Sequence, residues 1–152
     1  MTSIQIIVGT VMGTALEVAE YAESCLSSTF NTSINTDFKD NDINNGDVIL
    51  ICTSNTGVGD LPSNIVPFYS FLRDKYPAIA GKRYGLINLG DSNYPSFGEA
   101  GQKMDEAMQD LGTVHIGKPL ILDASQPQDY QTLTSSWLAE WIAQLWVIIE
   151  KK

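Results

Sequence analysis

A chain of 152 residues, 43% hydrophobic and carrying three tryptophans and five phenylalanines, is sized for one domain spanning 1–152 with a core of its own. Its 18 acidic and 9 basic side chains leave a net charge of −9, which argues against a nucleic-acid partner and suits docking onto a basic protein surface. A single imidazole, His115, excludes a multi-histidine metal centre, and no stretch approaches the ~20 apolar residues of a membrane span.

The start of the chain has no basic residue and only a short apolar run, so no signal peptide is expected. Cys25 falls on a predicted helix and Cys52 inside a predicted strand. Both read as small buried hydrophobes of a cytoplasmic protein rather than as a disulfide.

In chain order, residues 4–8 form an apolar run ending at Gly9, the pattern of a buried strand. Ala15, Val18, Ala19, Ala22, Cys25 and Leu26 then recur at helical spacing, predicting a first helix from Thr14 to about Ser28. Residues 32–38 alternate like an edge strand, 39–46 read as a polar loop, and 48–52 are a second buried strand. Helix-start chemistry at Asp60-Leu61-Pro62-Ser63 precedes an apolar face of Ile65, Phe68, Tyr69 and Leu72.

A fourth strand is expected at 83–89, ended by Gly90. A third helix carries Ala100, Met104, Ala107, Met108 and Leu111 and stops at Gly112. Residues 114–122 predict a fifth strand bent by Gly117 and Pro119. Leu133, Trp137, Trp141, Leu145 and Ile149 stripe a final helix. Strands alternating with helices in this way mean an α/β fold, a doubly wound parallel sheet with helices on both faces. Ligands of such sheets sit at the carboxyl ends of the strands.

Three loops follow strands one, three and four. The first, GTVMGTA, offers free amides at a helix start and the Thr10 and Thr14 hydroxyls, which suits a phosphate without any side-chain cation. It lacks the Gly-Lys-Ser/Thr of a Walker A loop and the third glycine of a dinucleotide fingerprint. The second, TSNTGVGD, suits a loop whose amides and carbonyls touch a flat polar ligand. The third carries Tyr94 and Phe97, which can stack on a planar ring, with Asp91 beside them. Taken singly, the alternatives are a threonine-capped turn, a flexible connector and a loop anchored by its own rings. One ligand with a phosphate at one end and a flat ring at the other accounts for all three.

At GTVMGTA, TSNTGVGDLP and LGDSNYPSFGEAG the chain resembles the short-chain, MioC-like bacterial flavodoxins, over nearly its whole length. The resemblance implies a five-stranded sheet of order 2-1-3-4-5, non-covalent FMN, and one-electron carriage by a monomer. Its partners would be an NADPH-dependent flavodoxin reductase and an acceptor enzyme. It puts Thr10, Met12, Gly13, Thr14 and Ala15 at the phosphate. Ser54, Asn55, Thr56 and Gly57 fall beside the reactive edge of the flavin. Leu89, Gly90, Asp91, Tyr94, Phe97 and Gly98 fall along the ring, with Tyr94 stacked on it. Met12 and Ala15 stand where hydroxyl residues are common in the family, and Thr56 where an aromatic is. Weaker FMN binding and a more exposed ring are therefore expected.

The rival readings are a flavin-free domain that kept the fold and an FMN-dependent quinone reductase. A hydrolase lacks its Gly-x-Ser-x-Gly elbow, and a receiver domain lacks its acidic pair after the first strand.

Overall fold

The computed structural model describes residues 2–56 and 59–150, the side chain of Glu150 excepted. Three strands form the middle of the sheet: β1 (Ser3–Gly9), β3 (Val48–Ser54) and β4 (Arg83–Gly90). They are buried along almost their whole length, which is why their sequences run apolar without alternation. β2 (Asn31–Asn35) pairs with β1 at one edge, and its half-exposed residues explain the polar alternation there. Among the described residues every pairing between strands is parallel, and with β5 (Val114–His115) the order is β2-β1-β3-β4-β5, as the resemblance implied.

The two faces of the sheet are covered by separate helix pairs. Ile4, Ile6, Val8, Leu50, Cys52, Ile87 and Leu89 point to α1 (Thr14–Leu26) and α4 (Tyr130–Glu150). Ile7, Ile49, Ile51, Tyr84 and Leu86 point to α2 (Val66–Lys75) and α3 (Glu99–Asp110). Alanines at 15, 19 and 22 bring α1 close to the strands. Each larger aliphatic side chain so buried contributes about 1.5–3 kcal/mol. Trp141, 1% exposed, packs closely against β4 at Gly85, which has no side chain to hold it off. A Cβ at Gly85 would sit 2.5 Å from the indole nitrogen.

Several sequence expectations change in detail. The fifth strand is not one bent strand but two short ones, β5 (Val114–His115) and β6 (Leu120–Asp123), each paired separately with β4. Gly117 at φ +70° and Pro119 in the intervening residues interrupt the ladder. The segment 39–46 contains a 3-10 helix, Asp40–Asn44, which buries Ile43. α2 begins at Val66 rather than near Asp60, because Pro67 sits in its first turn, where a missing N–H costs nothing. Cys52 is buried as expected, but Cys25 is only half-buried. Among the described residues no helix is long and apolar enough to cross a membrane. Nor does any cluster of His, Cys, Asp and Glu fit a metal ion.

Candidate functional site

A cleft of about 440 Å³ opens where β1, β3 and β4 end, a size in the range of small-molecule sites. Its first wall is the turn at 10–13. The Gly13 N–H donates to Thr10 Oγ1 at 2.9 Å, and Gly13 at φ +95° swings the chain into α1. The Thr10 N–H donates to Asn64 Oδ1 at 2.8 Å. The Asn64 amide in turn donates to the carbonyls of Val8 at 2.8 Å and Thr36 at 3.1 Å. The helix ladder of α1 starts only with the Glu17 N–H donating to the Gly13 carbonyl. The N–H groups of Val11, Met12, Thr14, Ala15 and Leu16 therefore have no acceptor among the described residues. Open amides at the positive end of a helix dipole attract an anion, and among the described residues no lysine or arginine lines this cleft.

The second wall is Ser54 and Asn55. Asn55 is less a free ligand group than a strut. Its N–H donates to the Leu89 carbonyl at 3.0 Å and its side-chain amide to the Ser96 carbonyl at 3.2 Å. Its Oδ1 accepts from the Ala100 N–H at 3.2 Å and the Asn88 amide at 3.3 Å. The loops after β3 and β4 are thus locked together by one side chain.

The third wall is the loop after β4. Asp91 Oδ1 accepts from the Asn93 N–H at 2.9 Å, folding a turn that carries Tyr94 and Phe97. Gly90 leaves room for the Phe97 ring, which a Cβ there would meet at 2.9 Å. Phe97 is half-buried as a wall, while Tyr94 stands 60% exposed on the rim.

A fourth wall was not anticipated from the sequence: Ala124, after β6, and Tyr130, the first residue of α4. The Ala124 N–H donates to the Gly90 carbonyl at 2.8 Å. Asp123 Oδ1 accepts from the N–H of Ser92 at 3.0 Å and from the N–H and hydroxyl of Ser125. These donors, the Ser92 N–H first, hold the Asp123 carboxyl well below the usual carboxylate range. The rule that flagged the other loops, small polar residues after a strand, also fits Asp123-Ala124-Ser125. Val11 and Ser96 complete the unanticipated lining.

Of the expected site residues, Thr10, Met12, Thr14, Ala15, Ser54, Asn55, Leu89, Gly90, Asp91, Tyr94 and Phe97 line this one cleft. Gly13 and Gly98 stand behind it as positive-φ starts of α1 and α3. Thr56 is not in the lining: it pairs with Asp60, its N–H donating to the Asp60 carbonyl at 2.9 Å. Gly57 lies outside the described residues.

The flavodoxin family model matches residues 6–137. The chain belongs to the flavodoxin family. This flavodoxin is 35% identical over 146 residues to flavodoxin YqcA of Escherichia coli K12, covering 93% of this chain and 97% of that one. It is 31% identical to protein MioC of the same organism, with the same coverage of both chains. A mutant of the Pseudomonas aeruginosa flavodoxin of known structure superposes with a TM-score of 0.86 at 35% identity, over 94% of this chain and 98% of that one. A Fusobacterium nucleatum flavodoxin mutant, solved with flavin mononucleotide bound, shares the fold at a TM-score of 0.78, 18% identity and coverage of 95% and 97%. Flavodoxins bind flavin and transfer electrons, and have no catalytic reaction of their own.

Proposed function

We propose that the cleft holds FMN non-covalently and that the chain carries electrons singly, as a cytoplasmic monomer. The donor would be an NADPH-dependent flavodoxin reductase and the recipient an acceptor redox enzyme. The carrying observation is the cluster of open amides at the start of α1, which suits a phosphate, within one cleft of the half-buried Phe97 and exposed Tyr94, which suit a flat ring. The donor set fits the cofactor: neutral N–H and hydroxyl groups at one end, and Leu89, Tyr94 and Phe97 at the other.

In this reading Thr10, Met12, Thr14 and Ala15 hold the phosphate, and Gly13 shapes their turn. Leu89, Gly90, Asp91, Tyr94 and Phe97 bound the ring, and Ser54 and Asn55 its second edge. Bound FMN supplies the one-electron chemistry. The protein orients the ring, and the Asp91 carboxylate on the cleft wall disfavours further negative charge beside it.

Val11, Met12 and Tyr94 are exposed by 62%, 90% and 60%, giving the mouth an apolar rim on a chain of net charge −9. That combination suits brief contact with a partner presenting a basic face. Asp60, Asp91, Glu99, Asp105 and Glu106 are the acidic candidates for this contact, of which Asp105 already accepts the Tyr84 hydroxyl, Asp60 lies 3.6 Å from Lys103 and Asp91 accepts from the Asn93 N–H. Freshly purified protein is expected to be yellow with a flavin spectrum, and apoprotein to quench FMN fluorescence with one-to-one stoichiometry. Protein that stays colourless after incubation with excess FMN overturns the proposal.

A further inference from the structure

Among the described residues, Tyr130 is the one aromatic hydroxyl on the α4 side of the cleft, and it belongs to none of the three loops that carry the flavodoxin resemblance. Its position is specified. Asp129 accepts from the Gln131 N–H at 3.1 Å and from the Thr132 hydroxyl at 2.7 Å, capping α4 so that Tyr130 is its first helical residue. The ring packs on the core layer shared by α1 and α4, which fixes its direction.

Two cavities meet at this side chain. Tyr130 lines the main cleft together with Thr14, and the same two residues line a smaller annex of about 100 Å³ between α1 and α4. Thr14 opens α1, so Tyr130 lies at the end of the cleft where the open amides are. Thr134, one turn further along α4, lines the annex as well, and its buried hydroxyl has no partner among the described residues. This face of α4 therefore brings polar groups to the start of α1. The Tyr130 hydroxyl has no hydrogen-bond partner among the described residues. Glu17 lines the annex but not the cleft, and takes no hydrogen bond from Tyr130.

We propose that Tyr130 is a binding residue of this cleft, its hydroxyl donating to the phosphate of bound FMN beside the amides of α1. This rests on the FMN reading above. Burial, ahead of the Asp123 and Asp91 charges, pushes the phenol above its ordinary value, so it stays protonated and able to donate across the physiological range. The simpler role, a tyrosine whose ring merely packs with its hydroxyl in water, makes the opposite prediction for Tyr130→Phe. That variant keeps the ring and its packing and removes only the donor.

The test compares FMN with riboflavin, which lacks the phosphate, by fluorescence titration of wild-type and Tyr130→Phe apoprotein. A charge-assisted hydrogen bond lost from the phosphate weakens FMN binding by about ten-fold and leaves riboflavin binding unchanged. The ³¹P resonance of bound FMN shifts as well, while the melting temperature of the apoprotein holds. Equal FMN affinity in the two proteins overturns the assignment, and so does an equal loss for FMN and riboflavin. Wild-type protein that takes up neither ligand instead overturns the FMN reading, and the role of Tyr130 with it.

Discussion

Asn64 touches no ligand-facing surface, yet it joins the start of the cleft to the sheet. Substituting it with alanine removes the acceptor for the Thr10 N–H and the donor to the Val8 carbonyl, both at 2.8 Å and partly shielded. It also removes a weaker exposed bond to the Thr36 carbonyl at 3.1 Å. With net values of about 0.5–1.5 kcal/mol per hydrogen bond, the two shielded ones amount to about 2 kcal/mol and the exposed one adds little. For a domain of this size each kcal/mol moves the melting temperature by about 2–4 °C, so Asn64→Ala is expected to melt roughly 4–8 °C lower. The turn at 10–13 then has to be ordered when ligand arrives, which weakens FMN binding by about ten-fold. Asn64→Asp keeps the acceptor for Thr10 but sets a carboxylate against two carbonyls and near the phosphate end. Its affinity loss should be larger and should shrink with added salt. Circular dichroism melts of the apoprotein and flavin fluorescence titrations measure both effects. Asn64→Ala with an unchanged melt and unchanged FMN affinity would refute the strut.

Gly85→Ala places a methyl 2.5 Å from Trp141 Nε1 and 2.7 Å from Cε2, in the middle of a paired strand that cannot shift. Overpacking of this kind costs about 1–3 kcal/mol, read as a lower denaturant midpoint with altered tryptophan emission; an unchanged midpoint would show that the indole is free to move. Burial pushes the Cys52 thiol up to about 12 from its ordinary 9.0. Between those values the unfolded chain has lost a proton that the folded one keeps. The thiol's contribution to stability is therefore present below pH 9 and declines as pH rises toward 12. Cys52→Ala should lack this part of the alkaline slope. A thiol reagent at neutral pH should modify half-buried Cys25 and spare Cys52, and equal labelling of both in folded protein would contradict the burial argument.

Most of the sheet was legible because β1, β3 and β4 are covered on both faces, and only a continuous apolar run suits that position. The loops after them were legible for a related reason: glycine and small polar residues straight after such a run have few purely structural explanations. What stayed hidden depends on contacts between distant residues. Gly117 and Pro119 announced a bend, but pairing of both halves of the fifth strand with β4 follows from how the edge sits in space. Asp60-Leu61-Pro62-Ser63 carried good helix-start chemistry, yet Asp60 is held in a turn with Thr56 and the constraint of Pro67 set the start of α2. Nothing local marks Asn64, since its partners Val8, Thr10 and Thr36 lie 28 to 56 residues earlier. Tyr130 carries no local signal of its place, because only the docking of α4 beside α1 brings it to the cleft.

The all-neutral lining at the start of α1 has a kinetic consequence. With no cation among the described residues that line the cleft, no side chain there offsets the long-range repulsion between a protein of net charge −9 and an incoming dianion. Attraction from the helix end is felt only within the last few ångströms, whereas the repulsive field reaches out to a Debye length of about 10 Å at 0.1 M salt. Raising ionic strength should therefore speed cofactor uptake by this apoprotein, the reverse of the trend for a phosphate pocket built on lysine or arginine.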